Sequence, residues 1–294
     1  MEIIELFKKK KFVITAELGP PKGTSLDTFL KQAGYLKKHV HAANVTDQQS
    51  ALMKLGSTAA CHCLKDFGIE PIMQITCRDR NRIALQSELL SASVLGIQNV
   101  LVLTGDPIAI GDHPDAKAVF DVDATQLMAL IQKLESGFDM TGHKLEGSPV
   151  FSIGAAMNPC VEDMEMEISK TRRKIESGAE FFQTQGIFDL GRFEKFIKRY
   201  RSEGFKTPIL AGVILLKSDK MAHFMNSKIP GIYIPAPMID RLEKTPDAKA
   251  ECVKIACETI NQLKPYIQGI HLMAIGWEEL VPEIVSSSGI AHYL

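Results

Sequence analysis

Pro71-Ile72-Met73-Gln74-Ile75-Thr76, then a helical stretch from Asp79 to Leu95 stopped by Gly96, then Asn99-Val100-Leu101-Val102-Leu103-Thr104: this part of the chain decides the fold. Its two outer segments are nearly solid apolar runs. An alternating strand has one wet face, whereas a continuous apolar run is buried on both faces, as parallel strands under helices are. The stretch reads as one β–α–β unit.

The same unit repeats in both directions. Toward the N-terminus, Ala42 to Thr46 reads as a strand and Leu52 to Phe67 as a helix ending at Gly68. Before them come a strand from Phe12 to Leu18, a break at Pro20-Pro21-Lys22-Gly23, and a helix capped by Ser25 and running to about Lys38. Toward the C-terminus, strands are expected at Val150 to Ala155, Phe181 to Gln185, Pro208 to Gly212 and Gly269 to Ile275. Helices are expected at Ala124 to Glu135, Glu162 to Glu176, Leu190 to Ser202, Ser218 to Asn226, Pro246 to Leu263 (capped by Thr245) and Glu278 to Val285. About eight β-then-α units in 294 residues predict an α/β protein, a closed (β/α)8 TIM barrel forming one catalytic domain over 1–294. An open doubly wound sheet would carry a glycine-rich phosphate turn after its first strand. Here that turn holds Pro20 and Pro21, which lack the amide donors a phosphate wants.

Composition narrows the function. The 34 basic and 35 acidic residues give a net charge of -1, which calls for neither nucleic acid nor an anionic membrane. The N-terminal order, apolar residues before Lys8-Lys9-Lys10-Lys11, is the reverse of a signal peptide, and no uncharged run is long enough to span a bilayer. A cytoplasmic location is expected. The six cysteines form no C-x-x-C pair, and Cys61-His62-Cys63 lacks the second pair a zinc site needs, so no metal is expected.

Barrel enzymes carry their chemistry at the C-terminal ends of strands. The polar residues expected there are Glu17, Thr46, Asp47, Gln74, Thr76, Asp106, Asn158 and Gln185. A carboxylate at the end of a buried strand is costly unless paired or used. Glu17 therefore reads either as a salt-bridge partner or as a general acid raised by a dry setting. Asp106 follows the tight exit Thr104-Gly105, and reads as a ligand contact or a turn aspartate. Gln185 offers an amide that both donates and accepts. His271 opens its strand, which puts it toward the barrel bottom in a structural role. Arg172-Arg173-Lys174 reads as a solvated helix face from which Lys174 reaches a cofactor phosphate.

Together, Ala16-Glu17-Leu18-Gly19-Pro20-Pro21-Lys22, Asn44-Val45-Thr46, Leu103-Thr104-Gly105-Asp106 and Arg173-Lys174-Ile175-Glu176-Ser177-Gly178-Ala179-Glu180 with Thr184-Gln185 resemble the methylenetetrahydrofolate reductase family, from about Phe12 to Gly289. The resemblance implies a flavin-bearing barrel that reduces 5,10-methylenetetrahydrofolate to 5-methyltetrahydrofolate. It implies Glu17 as the acid that helps open the folate ring, Asp106 near flavin and pterin, and Gln185 and Gln74 toward the substrate. Thr46, Thr104, Gly105, Asp106, Gly154, Ala155, Asn158 and Lys174 fall to the flavin, FAD or FMN. The chemistry agrees: an iminium carbon needs a hydride, which no side chain stores. The chain is similar to the bacterial type, acetogen relatives included, which carries the barrel alone and serves methionine synthesis or the Wood-Ljungdahl pathway.

Three features depart from the family pattern. Val213 to Lys220 has no aromatic residue for a nicotinamide to pack on, which puts direct NAD(P)H donation in question and makes a partner electron-transfer subunit attractive. Gly186 stands where a bulky aromatic is common, leaving room above the pterin. Thr104 replaces an arginine. Homo- or hetero-oligomers are expected from the family. The alternatives are a flavin-free pterin-binding methyltransferase, which has no use for Glu17 near a flavin and would purify colourless, and an electron-relay subunit without folate chemistry.

Overall fold

The computed structural model describes residues 2–229 and 231–294. Its eight strands are β1 (Val13–Leu18), β2 (Ala42–Val45), β3 (Pro71–Thr76), β4 (Asn99–Leu103), β5 (Ser152–Met157), β6 (Phe181–Gly186), β7 (Ile209–Ile214) and β8 (Gly269–Met273). They close into a parallel barrel in sequence order, β8 pairing back onto β1. The (β/α)8 barrel expected from the apolar runs is the fold observed.

The helices are α1 (Ile3–Lys8), α2 (Asp27–Leu36), α3 (Ser57–Asp66), α4 (Arg82–Val94), α5 (Ala124–Glu135), α6 (Met164–Glu176), α7 (Leu190–Ser202), α8 (Asp219–Lys228), α9 (Ala236–Lys244), α10 (Ala248–Leu263) and α11 (Val281–Ser287). Short polar side chains start several of them by accepting otherwise orphaned amide protons. Asn81 caps α4, Asp123 and Gln126 form a capping box on α5, and Asp189 caps α7. Two expected caps move. Asp247 caps α10 while Thr245 Oγ1 accepts the Asp247 N–H, and Ser25 donates to Asp27 rather than capping α2.

The barrel interior is stacked. Its floor is a separate apolar cluster of Val13, Ala42, Ile72, Leu101, Phe181 and Leu210, closed from below by Ile3 and Leu6 of α1. The Ile3 N–H donates to Asn99 Oδ1 at 2.8 Å, which ties α1 to β4. Burying two aliphatic side chains there contributes about 1.5–3 kcal/mol each. Helix α1 was not expected, because a six-residue apolar stretch is too short for periodicity to declare. Above the floor lies a polar layer. Asn44 and Gln183 exchange amide hydrogen bonds of 2.6 and 3.1 Å across the barrel, and Thr15 Oγ1 meets His271 Nδ1 at 3.0 Å. The main apolar core lies outside, between strands and helices.

Two further differences from expectation bear on the site. The helix foreseen from Leu52 begins only at Ser57, and a strap with left-handed backbone at Gln48, Ser50 and Ala51 precedes it. The connection from β7 to β8 contains α9, which no expectation included.

Candidate active site

A cavity of about 610 Å³ opens at the C-terminal ends of the strands. Glu17, Gln74, Thr104, Gly105, Asp106, Asn158, Lys174 and Gln185 all line it, as the strand-end rule requires. Gly154 and Ala155 do not. A Cβ on Gly154 would strike Phe181, and Ala155 is buried in the outer core, while their neighbours Ala156 and Met157 line the cavity. Thr46 is also fully buried outside the lining, its hydroxyl without a hydrogen-bond partner among the described residues.

Glu17 is the centre of a clasp. Gln49 Nε2 donates to its Oε1 at 3.1 Å, Gln74 Nε2 donates to Oε2 at 3.3 Å, and His271 Nε2 lies 3.8 Å from Oε2. Burial pushes the Glu17 carboxyl up, but His271, Gln49 and Gln74 together outweigh it and hold the group below its ordinary value. The expectation of an acid raised by a dry pocket is thus corrected for the protein alone: burial does push the carboxyl up, yet the surrounding donors favour the anion. His271 is corrected too. It pairs in register with Thr15, one layer beneath Glu17, and lines the cavity.

Asp106 lies across the mouth, its Oδ2 accepting the Ser50 N–H at 2.8 Å. Gln185 Oε1 accepts the Gly186 N–H at 3.0 Å, which leaves its NH2 end for the cavity. The β6–β7 register shifts between Gln183 and Gly186, and such an irregularity re-aims a side chain. Gly186 leaves no room, contrary to expectation: a Cβ there would lie 2.4 Å from Ile214 Cδ1.

Sequence reasoning missed Arg78. It is 1% exposed and donates to the Asp106 carbonyl at 3.1 Å, to the Gln48 carbonyl at 3.1 Å and to Asp79. A Cβ on Gly105 would lie 2.8 Å from Arg78 Cβ, so the guanidinium stem and the β4 exit are in close contact. A buried cation from the end of β3 thus stands beside the β4 exit. The signal was the run Cys77-Arg78-Asp79-Arg80 directly after a buried strand. Asp47, by contrast, is fully engaged by Arg80 and by the amide and hydroxyl of Thr76.

The opposite wall is cationic. Lys170, Arg173 and Lys174 of α6 reach the cavity, whereas Arg172 turns away to Glu203. Burial holds the Lys174 amine below its ordinary value, and it donates to the Ala156 carbonyl at 2.6 Å. The thiols stay apart from this chemistry: burial pushes Cys77, Cys160 and Cys252 up to about 12. No metal-binding cluster and no helix long and apolar enough to cross a membrane occurs among the described residues.

The family described as Methylenetetrahydrofolate reductase matches residues 2–289. This chain belongs to that family. It is 24% identical over 234 residues to Methylenetetrahydrofolate reductase 1 of Schizosaccharomyces pombe, covering 76% of this chain and 36% of that protein. It is 27% identical over 226 residues to Methylenetetrahydrofolate reductase (NADH) 1 of Arabidopsis thaliana, covering 71% of this chain and 37% of the relative. The chain thus spans about a third of the length of these relatives. Among solved structures, EDTA monooxygenase from Chelativorans sp. BNC1 matches with a TM-score of 0.57 at 8% identity, covering 97% of this chain and 95% of that one. A 2,3-dimethylmalate lyase matches with a TM-score of 0.51 at 10% identity, covering 97% and 83%. At such identities the likeness concerns the barrel alone.

Proposed function

We propose that this chain reduces 5,10-methylenetetrahydrofolate to 5-methyltetrahydrofolate with a bound flavin, and that Glu17 gives the proton that opens the folate ring. The observation that carries this reading is the Glu17 clasp, facing Asp106 and Gln185 across one cavity in a chain of this family.

The residues fit a flavin. Its phosphate tail suits Lys170, Arg173 and Lys174, and Gly105 and Ala156 offer flat backbone to a planar ring. Thr104, Asp106 and Asn158 stand between these groups. A buried Thr46 hydroxyl without a partner among the described residues is a further polar group near the β2 exit. FAD fits the long cationic wall better than FMN, because it carries a second phosphate. When bound, the flavin supplies the hydride.

The chain's own groups do the rest. Asp106 and Gln185 hold the aminopterin edge, a carboxylate for its N–H donors and an amide for its mixed edge. Gln74 steadies Glu17 and reaches the substrate side. A seated pterin excludes water from the Glu17 carboxyl, which is 15% exposed, and this strengthens the burial that favours its protonated form. Glu17 then passes its proton to the departing ring nitrogen.

The electron donor is NAD(P)H or a partner electron-transfer subunit. The aliphatic exit of β7 favours the partner, since Phe224 on α8 is exposed and outside the cavity lining. Parallel anaerobic reduction with NADH, NADPH and reduced ferredoxin, followed at the flavin band, separates these donors.

Glu17→Gln tests the acid assignment. It removes the proton and keeps the shape, so the folate half-reaction falls by about 10²–10⁴-fold while flavin reduction keeps its rate. Equal rates for wild type and variant in both half-reactions would refute the assignment.

A further inference from the structure

The strap after β2 has an unusual backbone. Gln48, Ser50 and Ala51 have φ of 48°, 56° and 56°. None is glycine, and left-handed backbone at such residues costs of order 1–2 kcal/mol each. Strain of this kind persists only where the surroundings over-determine it.

Here they do. Arg78 donates to the Gln48 carbonyl. The Gln48 side chain exchanges hydrogen bonds with the backbone of Lys54, at 2.7 and 3.1 Å. Asp106 takes the Ser50 N–H. Gly111 of the β4 loop packs on Ala51 so closely that a Cβ there would lie 2.0 Å from the Ala51 carbonyl oxygen. Four anchors therefore hold a four-residue strap whose one free product is the placement of Gln49. That side chain reaches inward to the Glu17 carboxylate at 3.1 Å, although the residue itself is exposed.

We infer that the strap exists to hold Gln49 on Glu17, making Gln49 a positioning residue that sets how readily Glu17 binds and releases its proton. This rests on the reading of Glu17 as the proton donor. The amide NH2 stabilises the anion, and an amide turned by half a rotation presents its oxygen to the protonated carboxyl instead. Gln49 can thus serve both states of the acid without moving the strap. The other charged or titratable groups of this cavity are His271 on β8, Asp47 after β2, Arg78 after β3, Asp106 after β4, Asp123 before α5, and Glu167, Lys170, Arg173 and Lys174 of α6. Substitution at position 49 leaves all of them in place.

The test is a graded series, Gln49→Leu and Gln49→Glu, in the flavin-loaded protein. The Glu17 carboxyl band is followed by infrared titration, with Glu17→Gln as the blank that assigns it. Loss of a hydrogen bond to a charged group at a partly exposed site raises the midpoint in Gln49→Leu by about 0.5–1 pH. Gln49→Glu raises it further, because a like charge stands beside the carboxylate. Identical midpoints in wild type and both variants would overturn the inference, even if the variants melt at lower temperature, which is all that a purely structural strap predicts. If the carboxyl midpoint moves and the pH profile of folate reduction does not follow, the acid role of Glu17 fails and the positioning by Gln49 stands.

Discussion

The two sides of the barrel rim are built on opposite principles. At the exits of β1 to β4 the chain crowds polar groups together: Glu17, Gln49, Gln74, Arg78 and Asp106 all line the cavity. At the exit of β7 it does the reverse. Ile214 and Leu216 turn into an apolar cluster with Phe188, Ala222, Met225, Ile232 and Ile234, under α8 and α9. The first side is held by hydrogen bonds of fixed geometry and is poised for proton chemistry. The second is held by non-directional packing, with the Phe188 ring buried within it. On the first side buried polar groups satisfy one another, and on the second side apolar packing takes their place.

Substitutions on the two sides put this contrast to the test. The largest stability effect is expected from Asp47→Ala on the polar side. It leaves the Arg80 guanidinium, whose side chain is 17% exposed, without its carboxylate, and breaking such a buried pair costs about 3–5 kcal/mol. Denaturant melts measure it, and a loss below 1 kcal/mol would mean that the polar rim is not the rigid side. Ile214→Ala on the apolar side should cost about 2–4 kcal/mol through the cavity it leaves, with the folate half-reaction of the folded enzyme nearly unchanged. A large loss of that rate at full occupancy of the fold would place chemistry at the β7 exit.

Lys174→Met gives a smaller effect. Removing one charge-assisted contact should weaken flavin retention by roughly tenfold, read by equilibrium dialysis. It should also change the pH dependence of stability. Burial lowers the Lys174 value in the folded protein, so the folded state binds its proton less well than the unfolded chain. Wild-type stability therefore gains from this group as pH rises through the lowered folded value toward the ordinary 10.5, and is without that gain below it. The variant should lack this alkaline gain. Parallel stability–pH curves for the two proteins would exclude a buried, strained charge at this position.

Much of this was legible in the sequence. Solid apolar runs gave β3 its bounds, and amphipathic periodicity did the same for α5 and α7, because these elements are long and flanked by clear stops. Glu17, Asp106 and Gln185 stood out because a polar residue ending an apolar strand has few structural excuses. His271 did not, since its height in the barrel depends on pairing with Thr15, and register between distant strands is not written in either strand. Gln49 was hidden for a related reason: left-handed backbone at non-glycine residues follows from anchors 30 to 60 positions away, such as Arg78 and Asp106. Helix α9 fell in a segment dense with prolines, where local signals argue for loop. The unfilled space expected at Gly186 was lost to Ile214, a contact only the fold could supply.

The purified chain is loaded with flavin, reduced anaerobically and mixed once with 5,10-methylenetetrahydrofolate, while the flavin band and the folate product are followed together. The oxidised flavin band is expected to return in step with the appearance of 5-methyltetrahydrofolate. A protein that takes up no flavin, or a reduced flavin that persists beside unchanged methylene-folate, would contradict the proposed reduction.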